Sequence, residues 1–172
     1  DVRFLLLWIG FNAAYAGDLD EARERDHLRS FFDVMVKLDA GSRIYDMVWQ
    51  RFSQEIRVLL DNRYVYAPFW KHHNGIAGND DWAEKLERAW HAGRHAMEAK
   101  DTPRILSILF DRLYVLRNQL VHGGATWNSA VNRDQVRDGA SILGSLLPIF
   151  IDLMMSNPAH DWAMPHYPVV ED

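Results

Sequence analysis

The sequence predicts an all-α protein, a single helical bundle of about five to six helices. Apolar residues recur at helical spacing along nearly the whole chain of 172 residues. No alternating run is long enough for a sheet, and the best strand candidate, Tyr64-Val65-Tyr66, is too short to stand alone. Hydrophobic residues make up 48% and charged ones 25%, a globular composition rather than a disordered one. A chain of this length can bury a substantial core. We read 1–156 as one helical domain and 157–172 as a C-terminal tail.

The first helix is expected over residues 3–16. Its apolar run follows Arg3 and ends in Ala14-Tyr15-Ala16-Gly17, the outline of a secretory signal. Trp8 and Asn12 interrupt that run and a charged stretch, 18–29, follows it, so a core helix is the better reading. The second helix covers 20–38 and the third 42–61, with Ser42 as its N-cap. Residues 64–79, with Pro68, Gly75 and Gly78, read as a long irregular connection rich in aromatic and histidine side chains. Further helices follow at 80–100, 102–122 and 133–156. Thr102 reads as an N-cap with Pro103 at the first helical position, and Gly123-Gly124 as the C-cap pair of the same helix. The apolar part of the last helix, 140–155, carries Pro148 and Asp152 and falls short of the roughly 20 apolar residues of a membrane span. No membrane partner is expected. The proline-bearing tail is expected to dock through Trp162 and Tyr167.

The chain has no cysteine, which excludes a disulfide framework and a thiolate zinc site and suits a reducing, cytoplasmic location. Asp1 in place of an initiator methionine is expected of a segment of a longer chain or of a processed one. The net charge of −5 argues against a general nucleic-acid coat protein. Charge is uneven, however. Between residues 101 and 137 five arginines (Arg104, Arg112, Arg117, Arg133, Arg137) face three aspartates (Asp101, Asp111, Asp134), a local +2 against −7 elsewhere. Such a balance allows a short RNA segment to reach one site.

That basic region contains the most informative stretch, Arg117-Asn118-Gln119-Leu120-Val121-His122, followed by Gly123-Gly124. Leu109, Leu113, Leu116 and Leu120 form a core stripe on its helix. The other side holds Ile108, Tyr114, Val115 and Val121 beside Asp111, Asn118 and His122, so it too calls for a cover. A neighbouring helix, or the same helix of a second subunit, would supply one. Asn118 and His122 share that face, four residues apart.

An imidazole with an ordinary pKa of about 6.5 serves as acid or base near neutrality. A guanidinium stays charged and braces phosphate oxygens with two parallel hydrogen bonds. Together they suit metal-free cleavage of RNA at the 2′-hydroxyl. The bland alternative pairs His122 with the negative end of its own helix and Arg117 with Asp111 or another acid.

The stretch Tyr114 to Gly123 resembles the motif helix of the HEPN superfamily, and Phe4 to Tyr15 resembles the opening helix of its prokaryotic members. The resemblance implies a dimeric helical bundle with two motifs facing each other through the motif helix. It also implies a metal-independent endoribonuclease on single-stranded RNA that needs no cofactor, with a toxin or phage-defence role and an antitoxin or sensor protein as partner. Arg117 would hold the phosphate, Asn118 orient and His122 move protons. Arg133, Arg137, Trp127 and Lys71 are the further RNA-binding candidates. Other members of the family are non-catalytic interaction or sensing modules, which is the alternative reading. His91 and His95 have metal-ligand spacing but lack a completing carboxylate set, so no metal is expected. His72-His73 in the aromatic connection suggest an RNA-stacking loop or, more simply, solvated polar residues over packed aromatics.

Overall fold

The computed structural model describes residues 1–15, 21–123 and 132–162. These are helical with no strand among them: α1 Val2–Tyr15, α2 Glu21–Leu38, α3 Arg43–Asp46, α4 Ser53–Asp61, α5 Ala67–His73, α6 Trp82–Glu98, α7 Thr102–Val121 and α8 Arg133–Ser156. A π-helical turn, Met47–Arg51, joins α3 to α4, and a 3₁₀ turn, Arg63–Val65, precedes α5. The all-α expectation holds. The helix count is higher than expected for two reasons.

The first is the stretch 42–61, expected as one helix. Its buried residues Ile44, Val48, Phe52 and Ile56 are spaced by four throughout. In a regular helix each such step drifts about 40° around the axis, so the fourth residue would leave the core face. The wide π turn absorbs the drift and keeps all four inside. The second is the connection after α4, where Pro68 sits in the first turn of α5, a position compatible with its missing N–H.

Two caps also differ from expectation. Ser42 makes no capping bond; the buried Asp39 carboxylate instead accepts from the Ile44 backbone N–H at 2.6 Å and from Arg43 Nε at 3.4 Å. Asp101, one residue before Thr102, caps α7 by accepting from Arg104 N–H at 3.2 Å. The Thr102 hydroxyl is buried and receives the Trp49 indole N–H at 2.8 Å, tying the π turn to α7.

The core is aromatic at its centre. Phe11 of α1 meets Phe110 of α7 at 4.4 Å between ring centroids, Phe32 of α2 at 6.3 Å and Phe150 of α8 at 6.5 Å. Phe32 and Phe110 are themselves 4.8 Å apart. α1 and α8 run parallel, with Phe4 against Gly139, Leu7 near Gly144 and Leu147 against Gly10. A Cβ at Gly139 would lie 2.9 Å from Leu113 Cδ2 and 3.0 Å from Phe4 Cε2, so this crossing of α1, α7 and α8 admits only glycine without rearrangement. α7 runs antiparallel to α1, since Phe11 meets Phe110 and Trp8 meets Tyr114. The end of α7 and the starts of α1 and α8 therefore share one end of the bundle.

α8 is the one described helix long and apolar enough to cross a membrane, yet Ile142, Leu143, Leu146 and Phe150 are all buried in the core. Beyond α8, Trp162 packs against that core and donates its indole N–H to the Asn157 carbonyl at 3.0 Å. Tyr167, its expected companion, lies outside the described residues.

Candidate functional site at the end of α7

The leucine stripe Leu109, Leu113 and Leu116 is buried, and Leu120 packs partly buried against the same cluster. This seats α7 firmly and leaves its last turn at the bundle end. The second apolar face is covered from within the chain along half of its apolar residues. Val115 is buried and Ile108 packs against the core, whereas Tyr114 and Val121 remain exposed, Val121 at 51%.

Arg117 is half-buried and donates from Nη1 to Asn118 Oδ1 at 2.9 Å. Asn118 thus orients the arginine, and its link to His122 runs through the backbone, the His122 N–H donating to the Asn118 carbonyl at 2.9 Å. His122 is the exposed C-cap residue, and its ring meets no hydrogen-bond partner among the described residues. Gly123 follows at φ +79°, the left-handed conformation that ends a helix with least strain when the residue is glycine. Arg117 forms no ion pair among the described residues, so the alternative pairing with Asp111 or another acid is not seen there.

The other arginines of the basic stretch are differently placed. Arg112 is buried at 4% exposure, stacks over the Tyr66 ring at 4.5 Å and donates to the Leu60 carbonyl at 3.3 Å. Burial pulls its pKa below the ordinary guanidinium value, partly offset by Tyr66, Asp111 and Asp61. Arg133 forms a two-pronged pair with Asp1, at 2.8 and 3.2 Å. Arg137 pairs with Asp134 at 3.1 Å and Asp138 at 3.3 Å. Of the five arginines, Arg104 and Arg117 alone are neither buried nor ion-paired among the described residues.

Arg133 does stand close to the motif. Its neighbour Asn132 donates to Gln119 Oε1 at 2.8 Å, and Gln119 Nε2 donates to the Tyr64 carbonyl at 2.6 Å. Gln119 therefore straps the start of α8 and the 3₁₀ turn to the motif helix, a role that sequence reading missed. Its partners are 13 and 55 residues away, beyond any local pattern. Lys71 is exposed on α5, separated from the motif by two successive contacts, Gln119 to Tyr64 and Tyr64 to Phe69. Trp127 and Asn128 lie outside the described residues. His91 and His95 are exposed on α6, and no group of three metal-ligating side chains occurs among the described residues. His72 and His73 join an aromatic cluster with Phe69 and Trp82, in which His73 stacks on Phe69 at 4.0 Å.

No family model, curated protein or solved structure matches the chain.

Proposed function

We propose that this protein is a metal-independent endoribonuclease of HEPN type that cuts single-stranded RNA as a homodimer. One observation carries the reading: the half-buried Arg117 donates to Asn118 and holds no acid among the described residues, and an exposed imidazole, His122, follows at the end of the same helix. A structural arginine would be expected to resemble Arg112 or Arg133, each of which is buried or paired.

The chemistry follows from these side chains. In the dimer His122 of one protomer takes the 2′-hydroxyl proton and the 2′-oxygen forms a bond to phosphorus. The bond from phosphorus to the 5′-oxygen breaks, and His122 of the partner subunit returns a proton to that leaving oxygen. Arg117 braces the non-bridging oxygens as charge builds on them. The motif face supports the two-fold arrangement. α1 turns outward an apolar stripe of Val2, Leu6 and Ile9, exposed at 51%, 61% and 61%, and α7 exposes Tyr114 and Val121. A second copy laid across α1 and α7 would cover this stripe and bring two motifs together. A defence or toxin role, and an antitoxin or sensor partner, belong to the same proposal through the family resemblance alone. The paired Arg133 and Arg137 are secondary phosphate contacts at most, since RNA would have to displace their carboxylates.

The test is cleavage of a mixed-sequence single-stranded RNA in excess EDTA, with sedimentation of the same samples. Wild type is expected to sediment as a dimer and cut, and Arg117→Ala to lose at least about 100-fold in rate, the scale for removing a charged transition-state contact. A dimeric wild type inert on every RNA tried would favour the non-catalytic module instead.

A further inference from the structure

A cleft of about 430 Å³ opens between α6 and the α4–α5 connection, away from the motif residues. Trp82, Leu86 and Trp90, spaced by four on α6, make its apolar wall, and Asp61, Arg63 and Glu87 supply its charges. The two indoles stand about 12 Å apart along the helix, so they line the two ends of a groove and do not sandwich one ring.

The charges decide what fits. Arg63 has no acid partner among the described residues; Nη2 donates to the Tyr64 hydroxyl at 2.9 Å, and the guanidinium is held over the Tyr64 and Phe69 rings at 4.9 and 5.9 Å. Asp81, the acid just before α6, is held by Lys85 at 2.8 Å and Arg88 at 3.8 Å, which keeps its carboxyl below the usual range. Asp61 and Glu87 have no such partner; neither forms an ion pair or side-chain hydrogen bond among the described residues. Asp61 acts on the buried Arg112 through space only, so the cleft sets two carboxylates without an ion-pair partner beside indole side chains, a surface complementary to a flat organic cation. The chain shows this pairing itself, with the Arg94 guanidinium 4.8 Å over the Trp90 ring. A nucleic-acid strand would bring phosphates to a lining that sets one cation, Arg63, against two carboxylates, Asp61 and Glu87.

We propose that this cleft docks an arginine-bearing segment of a partner polypeptide. The guanidinium sits between Asp61 and Glu87, and an adjoining apolar side chain lies on Leu86 and Trp82. The inference is independent of RNA cleavage.

The test is an NMR titration of the whole chain, following the Trp82 and Trp90 indole N–H resonances. The probes are acetyl-Leu-Arg-Leu-amide, its neutral citrulline counterpart and a single-stranded tetraribonucleotide. The arginine peptide is expected to shift both resonances and saturate. The citrulline peptide should bind at least about tenfold more weakly, the scale of one desolvated charge pair. The double variant Asp61→Asn, Glu87→Gln should lose the same factor while its remaining spectrum is unchanged. Equal binding of the two peptides, indoles unmoved by the arginine peptide, full binding by the double variant, or stronger shifts with the tetraribonucleotide would each overturn the proposal, the last in favour of a nucleobase site.

Discussion

Replacing His122 with alanine is expected to reduce RNA cleavage by about 10²–10⁴-fold, the contribution of one positioned general acid or base. That corresponds to roughly 3–5 kcal/mol of barrier. Stability should change by no more than about 0.5 kcal/mol, because the ring is exposed and makes no hydrogen bond among the described residues. The backbone elements that end α7 do not involve the imidazole: the His122 N–H still reaches the Asn118 carbonyl and Gly123 keeps its left-handed turn. Single-turnover cleavage and urea unfolding, run on one preparation, separate the two effects. A variant that loses stability together with activity would return His122 to the structural role of a helix-end residue.

The second large effect is on stability. Phe110→Ala removes the ring at which α1, α2 and α8 meet α7, in contact with Trp8, Phe11, Phe32 and Phe150. Phe110 is 1% exposed, and its neighbours belong to three other helices that cannot collapse together into the space. The expected cost is about 3–5 kcal/mol. For a chain of this size that lowers the melting temperature by roughly 6–20 °C, a large part of ordinary domain stability. A loss below about 1 kcal/mol in thermal and urea unfolding would mean that the aromatic cluster is not the centre of the core.

Sequence pattern was most informative where neighbours on one helix decide the outcome. The leucine stripe of α7 and the glycine that ends it are local signals, and the helix follows them. The pairing of Arg137 with Asp134, three residues apart, is likewise visible at helical spacing. The π turn was hidden because a four-residue repeat still looks helical; only the need to bury Ile44, Val48, Phe52 and Ile56 on one side forces the wide turn. α5 was hidden behind Pro68, which marks a helix start as readily as a loop. The partners of Arg133, Gln119 and Thr102 lie between 13 and 132 residues away, so tertiary packing alone creates them. The same holds for the groove on α6. Its Trp82, Leu86 and Trp90 spacing was legible, but the carboxylate facing it comes from α4.

The difference among the arginines is the point on which the functional reading turns. By residue type the basic stretch offers five equivalent cations. Folding buries one, pairs two with carboxylates and leaves two without an acid among the described residues, Arg104 and Arg117, of which Arg117 lies in the motif and is bonded to Asn118. A phosphate arriving at this end of the bundle meets Arg117 without first displacing an acid.

The most direct test of that reading is the chemistry of the cut ends. Wild-type protein is incubated in EDTA with a single-stranded RNA and with the same RNA carrying one 2′-deoxy nucleotide at the cleavage position. Attack by the 2′-oxygen predicts 2′,3′-cyclic phosphate and 5′-hydroxyl ends, and no cutting at the 2′-deoxy position. Ends bearing 3′-hydroxyl and 5′-phosphate, or cutting that EDTA abolishes and added metal restores, would contradict it.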